Sequence, residues 1–239
     1  MNTQVDIIGF GPHPDDVEIS AAGTLLRMKD QGHRIGIIDF TAGEMGTRGS
    51  REIRAEETAA ASAVLQLDMR ENLDLGDGRL ADSRENALIV VQALRRWRPK
   101  VVLSAWREDF HPDHEAAARI LKSAVFLSGM AKVDTDQAPW RPGALLYYPA
   151  RQEFRPSFVV DVTAQWSRRE QAAHCYKSQF HNPDSTEPGT QISSPDFWHW
   201  VTARAMYYGQ LIGVRYGEAF FVDRTLELDD PVLTFGRGL

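Results

Sequence analysis

The 239-residue chain has a single cysteine, Cys175, which excludes an intrachain disulfide and any thiolate-rich zinc site. Basic residues are not in excess: 27 Lys and Arg stand against 33 Asp and Glu, and no cationic run breaks the pattern. A nucleic-acid partner, whose phosphates call for a basic face, is therefore not expected. No uninterrupted apolar stretch reaches the length of about 18 residues that a membrane span requires, so no membrane partner is expected either. The segment Met1-Asn2-Thr3-Gln4-Val5-Asp6 lacks the cationic and apolar regions of a signal peptide, and a cytoplasmic location is the expectation. Internal repeats and low-complexity tracts are also lacking. A chain of this length fits one α/β domain, here read over residues 1–239.

Strand-like and helix-like segments alternate through the first two thirds. Val5 to Phe10 is a short apolar run, and Asp16 to Lys29 has apolar residues at helical spacing, closed by Gly32. Ile35 to Phe40 reads as a second strand, followed by a Gly-rich loop from Thr41 to Ser50. Ser50 is an expected N-cap for a helix to about Leu67. A brief strand from Asn72 to Leu75, a helix from Ser83 to Arg98, a buried strand from Val101 to Trp106 and a helix from Pro112 to Leu127 continue the rhythm. Beyond Asp134 the pattern changes. Leu145 to Tyr148 and Ser157 to Val162 read as strands, Gln165 to Phe180 and Phe197 to Ile212 as helices, and His181 to Pro195 as a flexible connection or lid. The whole predicts an α/β, Rossmann-like three-layer fold around a mostly parallel sheet, with a C-terminal β/α elaboration.

The segment Pro12-His13-Pro14-Asp15-Asp16 lies between the first strand and the first helix, at the sheet edge where open α/β folds bind ligands. Gly9-Phe10-Gly11 begins a dinucleotide fingerprint, and Asp39 mimics its ribose-binding acid. Pro14 occupies the place of the third glycine, however, which argues against a dinucleotide. What the segment offers is an imidazole and two adjacent carboxylates in a stiff turn. One carboxylate can ligate a metal while its neighbour faces the substrate as a base. The alternative is a helix cap beside a turn histidine.

A second cluster, His111-Pro112-Asp113-His114, follows the fourth strand at another strand-to-helix crossing. Its histidines are three apart, unlike the four-apart pair of zinc proteases. Taken alone it reads equally as a capping feature. Two such clusters at one sheet edge point to convergence: His13, Asp16 and His114 would supply two nitrogens and a carboxylate, a donor set for catalytic zinc. The same set suits Fe2+ or another divalent metal, and a non-haem iron oxygenase is the competing function.

At these residues the sequence resembles the LmbE-like, or PIG-L, family of N-acetylglucosaminyl deacetylases. Thr41 to Gly49, Arg54-Ala55-Glu56-Glu57 and Arg70-Glu71-Asn72-Leu73 extend the match. With Ser178-Gln179-Phe180 and Tyr216-Gly217-Glu218-Ala219-Phe220, the set is most similar to the bacillithiol-biosynthesis branch. The resemblance implies His13, Asp16 and His114 as Zn2+ ligands and Asp15 as general base. His111 would stabilise the oxyanion or protonate the leaving amine, with Asp113 holding its ring. Arg54, Asp77 and Glu44 would bind substrate, for which N-acetylglucosaminyl malate is favoured, with a thiol conjugate, a chitooligosaccharide or another N-acyl amino sugar as the alternative. A homo-oligomer, such as a hexamer, is also implied. The departure is Ser20-Ala21-Ala22-Gly23, where many relatives carry Gly and Cys; it bears on packing. Arg54 has a second reading as a helix-surface ion pair with Glu57; Trp198, Trp200, Tyr207 and Tyr208 suit stacking on a sugar, but their spacing favours core or subunit interface.

Overall fold

Seven strands form one sheet in the order β3-β2-β1-β4-β5-β7-β6, and helices cover both of its faces. The computed structural model describes residues 4–236; Met1 to Thr3, part of the segment read for a signal peptide, lie outside the described residues. β1 (Ile7–Gly11), β2 (Ile35–Asp39), β3 (Met69–Asn72), β4 (Val101–Ala105) and β5 (Ala144–Tyr148) run parallel. β7 (Gly217–Val222) is antiparallel both to β5 and to β6 (Phe158–Asp161). The fold is the expected α/β three-layer arrangement with a mostly parallel sheet. β1 and β2 are buried throughout, which is why they read as continuous apolar runs rather than alternating ones.

β1 is flanked by β2 on one side and β4 on the other. Chain progression reverses direction between β1 and β4, so the loops leaving their C-terminal ends diverge and open a crevice there. Both histidine-containing segments leave from those two ends.

The helix expected from Asp16 to Lys29 is interrupted. α1 (Asp16–Ser20) stops at Ala21, and α2 (Ala22–Asp30) begins immediately afterwards. Glu218, on β7, causes the break: its carboxylate accepts from the amides of Gly23 (2.9 Å) and Thr24 (2.7 Å), capping the new helix from another part of the chain. The Glu218 contact replaces a local signal, so periodicity alone ran through it. β7 is a strand beyond those expected from the sequence. The brief strand expected at Asn72 to Leu75 lies earlier, as β3, because pairing of Gly36 with Met69 sets its register.

α3 (Arg51–Leu65) starts at Ser50, whose hydroxyl accepts from Ile53 N, and ends at Gln66 in the left-handed conformation. α4 (Arg84–Trp97) and α5 (Pro112–Ser128) pack together on the face built around Ile8, Phe10, Val90, Val102 and Ile120. On the opposite face, α2 and α6 (Trp166–Ala173) cover Ile7, Ile35, Ile37, Leu103 and Phe220. The helix expected to reach Phe180 ends at Ala173, and the turns beyond it bring Tyr176 to Glu18 of α1 and Ser178 to Glu57 of α3. α7 (Pro195–Gln210) completes the site-side wall, and α8 (Pro231–Phe235) is a short terminal helix. Among the described residues no helix is long and apolar enough to cross a membrane.

Asp39, the acid that imitates a ribose contact, is instead clamped by Arg70 through Nε–Oδ2 (2.8 Å) and Nη2–Oδ1 (3.0 Å). Arg70 Nη1 reaches Glu18 at 2.6 Å, and Tyr176 donates to the same Glu18 oxygen at 2.9 Å. Arg70→Met would leave two buried carboxylates without their cation. Loss of one partner of a buried pair costs about 3–5 kcal/mol. Denaturant unfolding should show that loss, with Arg70→Met combined with Asp39→Asn recovering part of it.

Candidate metal centre and substrate cavity

The turn after β1 gives two adjacent carboxylates different partners, on an unusual backbone. Asp15 has φ 121°, a region L-residues rarely adopt, and Asp16 opens α1 directly after it. Asp16 Oδ2 accepts from His13 N (2.9 Å) and lies 3.3 Å from His13 Nδ1 and 3.4 Å from His114 Nε2. His13, Asp16 and His114 each bring a ligand atom within 4.8 Å of the others. His114 arrives from the first turn of α5, after β4, so adjacent parallel strands deliver the whole set.

The outward nitrogen of each histidine faces a carboxylate. His13 Nε2 lies 3.1 Å from Asp77 Oδ1 and 3.3 Å from Asp113 Oδ2, and His114 Nδ1 lies 3.4 Å from Asp109 Oδ2. Such partners hold a proton on the outer nitrogen and leave the inner lone pair for a cation. Burial works against charge on His13, but Asp113, Asp16 and Asp77 outweigh it and raise its pKa well above the usual imidazole value. Burial likewise lowers His114, while Asp16 and Asp109 carry it up to about 9. Burial opposes ionisation of Asp16 too, yet His114 and His13 hold its carboxyl well below the carboxylate range. The centre therefore attracts positive charge, which one divalent cation would supply, and the two-nitrogen, one-carboxylate donor set fits such an ion.

A second grouping, His13, His111 and Asp113, is equally close. Its atoms are already engaged: Asp113 accepts from Gly78 N (2.7 Å) and Leu80 N (3.2 Å), and His111 Nδ1 accepts from Asp113 N (3.3 Å). Asp113 thus differs from the expectation. Its carboxylate braces His13 and the 78–80 turn rather than the His111 ring; only its amide meets His111. With Nδ1 accepting, His111 carries its proton on Nε2. Burial and the neighbouring His13 and His114 push the His111 pKa down.

Asp15 pairs with Arg54, Nη1–Oδ2 at 3.3 Å, and lines the same cavity as the triad. Burial pushes the Asp15 carboxyl up to about 7 despite the pull of Arg54. Arg54 is itself buried, donates to the Pro14 carbonyl and lies over the Tyr176 ring. The surface pair with Glu57 does not form; Glu57 instead accepts from Ser178 N (2.6 Å) and Oγ (2.8 Å). Gly43, at φ +68°, makes room for this arginine, since a Cβ there would stand 2.9 Å from Arg54 Nη2.

A cavity of about 410 Å³ opens over the centre, reached by Asp15, Asp16, His111, His114, Arg54 and Asp77. Glu44, expected on the substrate surface, braces the loop through Asp77 N (2.9 Å) and Ala42 N (3.2 Å), and the wall there is made by Gly43, Met45, Gly46 and Thr47. Asp77 divides its oxygens between His13 and Met45 N (2.8 Å). The 181–195 connection contributes Thr190, Gln191 and Ile192 to the wall and is tied across by Glu187, which accepts from Gly49 N at 2.8 Å. Trp200, read as core or interface, lines the cavity with Phe197. Sequence reasoning also missed Asp109 and Arg151. A third acid two residues before His111 was a usable signal for Asp109. Arg151 had none, because it reaches the cavity only through the position of β5.

Residues 8–125, from β1 through most of α5, match the family model for GlcNAc-PI de-N-acetylase, a span that includes both histidine segments. The crystal structure of the conserved protein TT1542 from Thermus thermophilus is 40% identical, with TM-score 0.86, over 95% of this chain and 98% of that one. A diacetylchitobiose deacetylase of Thermococcus kodakarensis is 28% identical over 91% of this chain and 83% of its own length. Two proteins are similar at 22%. One is the 4-oxalmesaconate hydratase of Pseudomonas putida (76% of this chain, 77% of that protein), the other a probable N-acetyl-alpha-D-glucosaminyl L-malate deacetylase of Bacillus anthracis (75% and 84%). The bacillithiol branch is thus a distant resemblance. With its paired histidine segments and its parallel sheet, the chain belongs to the PIG-L, LmbE-like family of deacetylases, hydrolases of an amide bond.

Proposed function

We propose that the protein is a zinc-dependent deacetylase that removes the N-acetyl group of an N-acetylglucosaminyl conjugate. The observation that carries this reading is the convergence of His13, Asp16 and His114 beside a separately oriented carboxylate, Asp15. His13, Asp16 and His114 would hold a divalent cation, which would supply Lewis-acid polarisation of an amide carbonyl and a more acidic water. Asp15 takes the proton of the attacking water. The water oxygen bonds to the acetyl carbon, and His111 Nε2–H donates to the developing oxyanion. Loss of one such donor costs about 2.7–4 kcal/mol of barrier in other hydrolases. The C–N bond then breaks, acetate leaves, and the amine needs a proton. Asp15, protonated when the water attacked, returns that proton to the amine.

N-acetylglucosaminyl malate is the substrate favoured by the sequence resemblance; similarity to a diacetylchitobiose deacetylase supports the chitooligosaccharide alternative. An oxygenase using the same donors has little support, because the frame is an open α/β sheet within a deacetylase family. Exposed Met206, Tyr207 and Leu211 on and just beyond α7 support self-association, as a homo-oligomer such as a hexamer. Elemental analysis and acetate release from both conjugates, with and without chelator, test the function. Stoichiometric zinc and chelator-sensitive acetate release are expected. Hydration of an unsaturated diacid in place of acetate release would overturn the reading.

A further inference from the structure

Among the described residues two arginines line the cavity, and they differ in what they already hold. Arg54 is occupied by Asp15 and the Pro14 carbonyl. The Arg151 guanidinium, by contrast, has no carboxylate or carbonyl partner among the described residues; only its backbone amide bonds, to Asp109 Oδ2 at 3.1 Å. Three aromatic rings hold the guanidinium in place, with its carbon 4.8 Å from the Phe197 centroid, 5.9 Å from Trp200 and 6.0 Å from Phe110. A cation held over aromatic rings in this way spends none of its N–H donors on a hydrogen-bond acceptor. A half-buried, positioned cation with unused donors inside a substrate cavity is a recognition element for an anion.

Resting on the deacetylase reading, we infer that Arg151 determines specificity by binding a carboxylate or phosphate on the substituent of the N-acetylated sugar. The contact takes over the role that the sequence suggested for Arg54. It also offsets repulsion between such a substrate and Asp15, Asp16 and Asp109, all within electrostatic reach of Arg151.

The test compares N-acetylglucosaminyl malate, N-acetylglucosamine 1-phosphate and neutral N,N′-diacetylchitobiose as substrates for the zinc-loaded wild type, Arg151→Met and Arg151→Lys. Wild type is expected to favour at least one anionic substrate in kcat/KM, the malate and phosphate arms showing which anion is read. In Arg151→Met the KM for that substrate should rise about 10- to 100-fold more than the KM for the neutral sugar, the scale of a lost charge-assisted contact. Arg151→Lys should recover part of the difference. A wild type with no anion preference, or an equal fall in kcat on all substrates in Arg151→Met, would overturn the inference while leaving deacetylation standing. Absence of acetate release from every substrate would overturn the deacetylase reading itself, and the inference with it.

Discussion

Asp15→Asn is expected to lower acetate release by about 10²- to 10⁴-fold, the usual contribution of a positioned proton-transfer group, while bound metal stays near the wild-type amount. The separation follows from where the two aspartates point. Asp16 lies between His13 and His114, whereas Asp15 turns to Arg54 at 3.3 Å. An amide at position 15 keeps the shape of the side chain and can still accept from Arg54, but it cannot take a proton from water. Asn also tolerates unusual backbone regions better than most residues, so the φ of 121° is the least disturbed by this exchange. Metal analysis alongside initial rates provides the check. Loss of the metal on this substitution would instead make Asp15 the ligand and Asp16 the base.

Asp16→Asn should do the opposite and remove metal and activity together. The Asp16 carboxylate is the charged member of the donor set, and its Oδ2 also fixes the His13 backbone at 2.9 Å. Removing it leaves two neutral nitrogens and no anionic ligand, a set that holds zinc poorly. Asp113→Asn provides the graded comparison. Asp113 touches His13 only from the outer side, and losing such a partner typically costs about 10- to 100-fold in affinity or activity. Competition with a zinc-binding dye should therefore rank Asp16→Asn well below Asp113→Asn, with Asp15→Asn near wild type. Retention of stoichiometric metal by Asp16→Asn would remove the proposed centre.

Arg54 shows how one residue's reading changes between sequence and structure. On the sequence, an arginine on a helix with Glu57 three positions later invites either a surface ion pair or a substrate contact. In the fold, α3 lies against the turn before α1, and the side chain is buried on Asp15. It sets the charge beside the candidate base instead. Glu44 behaves similarly, since the turn at Asp77 meets its carboxylate before any substrate could.

The amino-acid order alone determined the alternating frame, the helix starts at Ser50 and Pro112, and the two short segments rich in His and Asp. Each of these depends on neighbours within a few residues: apolar spacing, a hydroxyl cap, a stiff proline turn. Tertiary structure decided whatever depends on groups far apart in the chain. Glu218 split the first helix from nearly two hundred residues away, Asp77 and Asp113 came together on His13, and Arg151 entered the cavity from the end of β5. Parallel strands cause this division. They align loops distant in sequence along one sheet edge, and no local periodicity records which side chains will meet there.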